Sequence, residues 1–318
     1  MRDERGFALV ITLLITALLV ALSVEFVDEV FVDTSARQNF TDGQQASLLA
    51  DSGMTGGIRL LQFGLGMRDY SSLVDLDSLA KMLQIADEKG KIQVTFEEES
   101  GKLNINAIVS PNGDLHHPYY DIAERLFKKL GLSPELLDAV VDWIDKNDDP
   151  RPGGAETNYY QTLKPPYAAK NNYLETYEEL RLVKGFDRKI LERLRPYLTV
   201  YSDDAGYAES GRTVPININT ATKELIASLD DNMTDDLAQR IVDYRRVTPL
   251  KSSTDLGNSV PGMLTLAQEL GSNLRIMQLK EKGKVFRLTS RAQVNETVRV
   301  IEAVVRDGGQ QPLYWREY

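Results

Sequence analysis

The chain has 318 residues, of which 42% are hydrophobic and 26% charged, and its formal net charge is −10. These proportions are ordinary for a globular protein of one or two domains. The acidic charge argues against nucleic-acid binding as the main activity, because such a surface repels phosphate groups. The absence of cysteine excludes disulfides, thiolate catalysis and cysteine-based metal sites.

The N-terminus is a short charged leader, residues 1–6, followed by an uncharged apolar segment from Phe7 to Val24. In a secretory signal peptide the apolar core precedes the cleavage site. Here the predicted cut, between Gly6 and Phe7, comes before the apolar segment, so processing would leave that segment attached as a membrane anchor. This order resembles the type IV prepilin signal of pilins and pseudopilins. An ordinary signal anchor is the alternative from this segment alone.

The chain after Val24 is amphipathic and remains compatible with a helix. Proline is absent from Met1 to Ser110. One helical stripe recurs at spacings of three and four residues, which indicates a buried face; its members are Ala46, Ala50, Met54, Ile58 and Leu61. Small residues at positions 53, 56 and 57 would let another backbone approach. We predict one helix from about residue 7 to about residue 63.

Two β-hairpins are predicted, one on each side of a helical stretch. Apolar and polar residues alternate over residues 92–97, and a Ser-Gly turn separates them from residues 103–107, which predicts the first hairpin. Residues 286–294 and 298–305 predict the second in the same way. Seven short amphipathic helices are predicted between them, over residues 122–130, 134–144, 174–183, 189–198, 223–229, 235–246 and 263–270.

The expected fold class is therefore α+β. A long N-terminal helix packs on a small antiparallel sheet, and a large all-α domain is inserted between the β-hairpins. The predicted regions are a leader (1–6), a transmembrane and assembly helix (7–24), an amphipathic stalk helix (25–65), a pilin-like domain (66–110 and 285–318) and the inserted helical domain (111–284).

A weak internal echo relates residues 102–107 to residues 215–221, since both contain Asn-Ile-Asn and precede paired helices. Residues 215–257 resemble helix-hairpin-helix modules, whose Gly-rich turn binds phosphate through its amides. The corresponding turn here, residues 230–236, carries four aspartates. Because these carboxylates would repel phosphate, we interpret the motif as a packing unit.

The most specific local pattern lies between Asp142 and Asn158. If Asp145 is counted as position one, oxygen-bearing residues occupy the ligand positions one, three, five and twelve of an EF-hand calcium loop; they are Asp145, Asn147, Asp149 and Glu156. Position six is Pro150 rather than glycine, so the usual EF-hand turn cannot form. We predict a calcium site on an irregular loop, with Asp148 and Asn158 as extra candidate ligands. An acidic, solvated loop that binds nothing is the alternative.

Several residue sets together resemble one family, the K-type minor pseudopilins of the type II secretion system. They are the Arg5-Gly6-Phe7 junction, the loop of residues 142–156, the segment 179–185 and the Ile-Asn-Ile-Asn-Thr-Ala motif of residues 216–221. A further resemblance is Ile11, an apolar residue at the fifth position after the cut, where most pilins and pseudopilins have glutamate. No grouping of residues points to an enzyme.

The resemblance implies a pilin-like fold with bound calcium and a tip complex with the I- and J-type minor pseudopilins, which link it to the major pseudopilin. It also implies that prepilin peptidase removes the leader and methylates Phe7. The chain would be a single-pass inner-membrane protein with its bulk in the periplasm. It would cap a pseudopilus that exports folded proteins, and no nucleic-acid partner is expected. The alternatives are a membrane-tethered helix-hairpin-helix protein for DNA capture and a minor pilin of a type IV pilus.

Overall fold

A computed structural model describes residues 4–66, 70–87, 90–202, 214–251, 253–264, 277–278, 283–309 and 311–318. It has the predicted α+β architecture, with a long N-terminal helix on an antiparallel sheet. The helices are α1 Glu4–Gly66, α2 Leu73–Met82, α3 Tyr119–Lys129, α4 Glu135–Ile144, α5 Thr157–Tyr160, α6 Arg188–Leu194, α7 Lys223–Ile226, α8 Asp235–Val247 and α9 Ser253–Ser259. The strands are β1 Gln84–Asp87, β2 Gly90–Glu98, β3 Leu103–Asn104, β4 Leu198–Thr199, β5 Ile216–Asn217, β6 Met277–Gln278, β7 Val285–Val294, β8 Thr297–Arg306 and β9 Tyr314–Glu317.

The predicted long helix is confirmed, and α1 has 63 residues. At 1.5 Å per residue it is about 95 Å long. Its side chains are exposed almost without interruption from Phe7 to Thr41, and burial begins at Asp42. The predicted stripe then faces the sheet, with Ile58 half-buried and the other members buried. The helix therefore has a free half, residues 7–41, whose side chains are almost all exposed, and a packed half, residues 42–66, which lies against the sheet.

Two glycines of α1 let the sheet approach closely. A Cβ on Gly53 would lie 2.7 Å from a methyl group of Ile92, and one on Gly57 would lie 3.1 Å from side-chain atoms of Leu288 and Val94. Because these contacts are too tight for an ordinary side chain, Gly53 and Gly57 serve the contact between helix and sheet, whereas a Cβ on Gly56 would meet only Leu83, at 3.9 Å.

The main sheet has five strands in the order β1-β2-β7-β8-β9, and all of its pairings are antiparallel. The predicted second hairpin is confirmed, because β7 pairs with β8 from Val285–Arg306 to Val294–Thr297. Asn295 forms its turn with a positive φ of 51°. Asparagine tolerates this left-handed conformation better than most residues do.

The prediction of the first hairpin is wrong, because residues 92–97 do not pair with residues 103–107. Residues 92–96 form part of β2, but β2 pairs with β1 upstream and with β7. Residues 103–104 instead pair in parallel with β4, and residues 105–108 form a 3₁₀ turn. The cause is local, because a 3₁₀ turn at Glu99–Gly101 ends β2 and leads the chain away from the sheet.

The described chain between β2 and β7 is mainly helical, as predicted, but it is not all-α, because two short pairs of parallel strands lie within it. The lengths of its helices also differ from the predicted ones. The predicted helix over 174–183 is only a 3₁₀ helix at Tyr177–Leu182, and the one over 189–198 ends at Leu194. Pro196 follows, and a proline cannot donate the next helical hydrogen bond. The predicted helix over 223–229 is a single turn, α7. Most of the predicted helix over 263–270 lies outside the described residues.

The internal echo corresponds to two similarly built units. In the first helical unit, residues 103–199, β3 at the start pairs in parallel with β4 at the end. In the second helical unit, the described residues between 216 and 278, β5 pairs in parallel with β6 in the same way. Both units place their Asn-Ile-Asn segment at the first strand.

Among the residues that the structure describes, buried side chains form two clusters. One lies between the second half of α1, α2 and the inner face of β7 and β8, and includes Met54, Leu61 and Leu288. The larger one runs through both helical units and includes Phe127, Trp143 and Ile241. Val285 and Val304 of the sheet belong to the larger cluster, so the helical units pack directly against the strands.

Candidate metal-binding loop and assembly helix

The predicted metal loop begins where α4 ends. Asp138 and Asp142 lie one helical turn apart on α4, and the amide of Asp145 closes the helix by donating to the Val141 carbonyl at 2.9 Å. The loop ends at Glu156, where α5 begins. The helix therefore brings Asp138 and Asp142 beside the loop, whose own carboxylates include Asp145 at its start and Glu156 at its end.

Two glycines let the loop fold back onto α4. A Cβ on Gly154 would overlap the carboxylate of Asp142, and one on Gly153 would lie 2.8 Å from the Glu135 carbonyl. The amides of Arg151 and Gly153 donate to Asp142 Oδ2 and Asp138 Oδ2, at 3.0 and 3.2 Å. The loop is thus fastened to the same face of α4 that carries the carboxylates.

Three carboxylates are buried in this loop without enough donors. Asp142, Asp145 and Glu156 are each at most 3% exposed. Asp142 Oδ1, Asp145 Oδ1 and both oxygens of Glu156 have no hydrogen-bond partner. The nearby guanidinium of Arg151 has its Nε 4.0 Å from Asp142 Oδ1, too far for a hydrogen bond. Buried anionic oxygens that lack partners are costly, and a bound cation is one way to satisfy them.

The electrostatics of the loop agree with this geometry. Burial, together with Asp142, Asp145, Asp148 and Asp149, raises the pKa of Glu156 to about 8. Burial and the nearby Asp145 also raise the pKa of Asp142 to about 6, although the Arg151 amide works against this. Burial raises the pKa of Asp145 as well. The carboxylates are therefore close enough to repel one another.

The remaining predicted ligands lie outside this buried group. Asn147, Asp148, Asp149 and Asn158 are exposed, and Asn147 Oδ1 accepts the Asp149 amide at 2.8 Å. Within the described part of the chain, no three His, Cys, Asp or Glu side chains converge as a ready metal site. The calcium ligand set therefore stays a prediction.

Asp142 belongs with the loop, although the ligand spacing did not select it. It is fully buried and carries an unpartnered oxygen. The sequence could have identified Asp142 by its position three residues before Asp145, close to one helical turn. It also lies close in sequence to the other carboxylates of the loop. EF-hand counting starts at the loop and cannot include a residue of the preceding helix.

The assembly segment is the free half of α1. Phe7 is 71% exposed and Ile11 41% exposed. Among the described residues, α1 is the one helix long and apolar enough to cross a membrane, with a mean hydropathy of 2.8 in its most apolar window. Gly6 also lies within α1. Cleavage and methylation at this junction stay predictions.

The helix-hairpin-helix-like turn between α7 and α8 packs against α3. Arg125 donates to the carbonyls of Ser228 and Leu229 at 2.8 and 3.0 Å, and Lys129 pairs with Asp235 at 2.8 Å. Side chains of α3 thus already contact this turn, consistent with a packing unit.

Family models and relatives agree on one assignment. Two family models, both described as "Type II secretion system (T2SS), protein K", match residues 101–203 and 216–276. A type II secretion system protein K from Klebsiella pneumoniae is 29% identical over 238 residues, which cover 71% of this chain and 69% of the relative. The protein of the same name from Aeromonas hydrophila is 25% identical and covers 98% of this chain and 96% of its own.

A solved structure shares the fold. It is the crystal structure of the GspK-GspI-GspJ complex from the type 2 secretion system of enterotoxigenic Escherichia coli. The matched chain has a TM-score of 0.66 and 20% sequence identity, and the match covers 90% of this chain and 99% of that one. The likeness therefore extends over the long helix, the sheet and the helical units together.

Proposed function

Because this chain belongs to the protein K family of the type II secretion system, we propose that it is the minor pseudopilin at the tip of the pseudopilus. There it initiates assembly and aids export of folded proteins across the outer membrane, a mechanical role rather than an enzymatic one. The observation that carries the proposal is the combination of a free apolar helix with two helical units inserted beside its sheet. Such bulk favours the end of a filament of slim subunits over its shaft.

The proposed partners are the I- and J-type minor pseudopilins and, through them, the major pseudopilin. The structural relative comes from a complex of GspK with GspI and GspJ, which supports this choice. Residues 7–24 would anchor the chain in the inner membrane in a single pass, with the bulk of the chain in the periplasm.

Ile11 supports a position with no subunit above. In the pilin-like scheme, a glutamate at this position pairs with the terminal amine of the subunit above, since an uncompensated charge inside a bilayer costs at least about 2.5–3.5 kcal/mol. Ile11 offers no carboxylate upward, while the amine of Phe7 can still receive a glutamate from below. Assembly would then begin with this chain and continue beneath it.

Labelling the helical units in assembled pseudopili tests the tip position. We expect one label at one end of each filament. Label spaced along the shaft, or normal filament initiation without this protein and its I- and J-type partners, contradicts the proposal.

Processing of the leader has a separate test. We propose that prepilin peptidase cuts between Gly6 and Phe7 and methylates the new terminus, as the charged leader before an apolar segment indicates. Mass spectrometry of the mature protein should find methylated Phe7. An uncut Met1, or a terminus after Ser23, would contradict the prepilin interpretation.

We also propose that the loop binds calcium. The unpartnered oxygens of Asp142, Asp145 and Glu156 fit a hard cation that takes six to eight oxygen ligands. Asn147 and Asp149 would complete the set, with Asp148 and Asn158 as further candidates. A bound ion would cross-link the end of α4 to the start of α5 in a chain without disulfides.

Removing calcium tests this site. Binding to the folded state alone stabilises it by about 2.7 kcal/mol at a hundredfold excess of calcium over its dissociation constant. A chelator should therefore lower the melting temperature, and Glu156→Ala should abolish that response. Glu192→Ala is the control, because Glu192 lies outside the loop and is 62% exposed at its side chain. A melting temperature insensitive to chelator in the wild type contradicts calcium binding.

A further inference from the structure

One cation of the metal loop lies beside its buried carboxylates. Residues 138–156 contain six carboxylates and two cations, Lys146 and Arg151. Lys146 is exposed. The side chain of Arg151 is 31% exposed, and its Nε lies 4.0 Å from Oδ1 of the fully buried Asp142. Arg151 therefore accompanies the same carboxylates that would hold a metal ion.

The backbone and the side chain of Arg151 make separate contacts with Asp142. The Arg151 amide donates to Asp142 Oδ2 at 3.0 Å, whereas the guanidinium approaches Oδ1. Because Oδ1 has no hydrogen-bond partner, the guanidinium acts on it through charge alone. Replacing the side chain keeps the amide contact, so the effect of the charge can be measured by itself.

The charge of Arg151 acts on two carboxylates. Burial raises the pKa of both Asp142 and Asp145, and the positive charge of Arg151 opposes the rise at both. Another cation near the loop, Lys184, is bound differently, because its Nζ donates to the Gly154 carbonyl at 2.8 Å. Arg151 is thus the cation that lies close to the two buried aspartates.

We propose that Arg151 competes with calcium for Asp142 and Asp145 and thereby sets the calcium affinity of the loop. This competition presupposes the proposed calcium site. A divalent ion on these carboxylates would meet the positive charge of the guanidinium, so it must either displace the guanidinium or bind against its repulsion. Displacement leaves the loop folded, because the Arg151 side chain already reaches solvent and its amide stays bound to Asp142.

Two effects of opposite sign follow from this arrangement. When calcium is scarce, the guanidinium reduces the repulsion among the buried carboxylates and stabilises the folded loop. When calcium is available, the same charge opposes its binding. The repulsion between a divalent and a monovalent cation at about 6 Å corresponds to roughly tenfold in affinity, even at the dielectric constant of water. Arg151 therefore weakens calcium binding by roughly this factor.

Calorimetric titration of the full-length protein in detergent with calcium chloride tests the competition. Arg151→Met removes the charge without adding an oxygen ligand, so its dissociation constant for calcium should be about tenfold lower than that of the wild type. Arg151→Lys keeps a positive charge and should bind more weakly than Arg151→Met. Lys146→Met is the matched control, because it removes an exposed charge from the same segment, and it should keep the wild-type affinity.

Thermal melting adds a readout that needs no calcium. In chelator Arg151→Met should melt below the wild type, and its rise in melting temperature on addition of calcium should be the larger of the two. If the wild type binds calcium and Arg151→Met binds it no more tightly, the competition alone is overturned. If neither protein binds calcium, the calcium site fails together with it. An equal gain in affinity in Lys146→Met would attribute the effect to net charge and also overturn the proposal.

Discussion

The two helical units are built alike at their first strands and differently behind them. In each, the second asparagine of Asn-Ile-Asn clamps a distant backbone: Asn106 accepts the Leu174 amide and donates to its carbonyl, and Asn219 does the same for Leu250. In each, the first asparagine accepts the amide two residues on. The shared part is a backbone clamp that asparagine can make with both ends of its amide.

The units differ in the sign of their buried charge. The first buries unpartnered carboxylates in the loop after α4. The second buries Arg245, which donates to the carbonyls of Ile218 and Ala221. Burial, aided by Arg246, lowers the pKa of Arg245 to about 10, so it stays charged at neutral pH. The chain's own carbonyls satisfy this buried cation, whereas four carboxylate oxygens of Asp142, Asp145 and Glu156 have no hydrogen-bond partner.

The largest expected effect concerns the loop of the first unit. Gly154→Ala places a methyl group against the Asp142 carboxylate, so we expect a loss of about 3 kcal/mol from overpacking and the loss of any calcium response. Urea unfolding followed by Trp143 fluorescence, with Trp315→Phe as background, measures it. Gly66→Ala is the control, because nothing lies within 4 Å of a Cβ there. If Gly154→Ala lowers the free energy of unfolding no more than Gly66→Ala does, the loop does not pack tightly against α4.

The second-largest expected effect concerns the two backbone clamps, Asn106 and Asn219. Asn106→Ala and Asn219→Ala each leave buried backbone groups unpaired, which should cost roughly 2–3 kcal/mol in the unit concerned. Hydrogen–deuterium exchange of peptides around Leu174 and Leu250 separates the two units. The exposed Asn112→Ala is the control. If each variant loosens both units equally, the clamps do not act locally.

In the presence of chelator, a change of pH should alter the stability of the first unit more than that of the second. The pKa of Glu156 is raised to about 8, so the folded state binds the proton more tightly than the unfolded chain does. Lowering the pH from 8 to 6 should then stabilise the first unit by at most about 2 kcal/mol, and saturating calcium should remove the effect. Exchange protection of α4 measures it, and equal gains in α8 would contradict the assignment.

The buried cation of the second unit should contribute less. Arg245→Met leaves two carbonyls without a donor but also removes a desolvated charge. We therefore expect a net loss of roughly 1–2 kcal/mol, the same with calcium and with chelator. The exposed Arg246→Met is the matched control. A calcium-dependent loss in Arg245→Met would mean that the two units are coupled.

The smallest effects belong to the helix caps. Asp187 caps α6 in the first unit and Thr222 caps α7 in the second, each through its side chain to the amide three residues on. Replacing either by alanine should cost about 1 kcal/mol, detected as faster exchange in that helix alone. Loss of protection across a whole unit would show that the cap does more than end its helix.

The sequence was most informative where its signal was long or local. The stripe of α1 and the alternation of β7 and β8 predicted those elements within a few residues, because burial on one face imposes a fixed period. The pairing of residues 92–96 was wrong because alternation indicates a strand without identifying its partner, and the 3₁₀ turn at Glu99 diverts the chain. The ligand spacing led to Asp145 and Glu156, but the buried Asp142 became evident only once α4 and the loop were folded together.

The free half of α1 sets an order of events for association. If residues 7–24 span the bilayer, residues 25–41 leave about 25 Å of bare helix before the first buried residue, Asp42. Within this clearance a neighbouring helix can lie alongside α1 while the two folded regions are still apart. Two subunits would thus first be aligned by their parallel helices, which can move only in the plane of the membrane. Their folded regions would then meet already oriented.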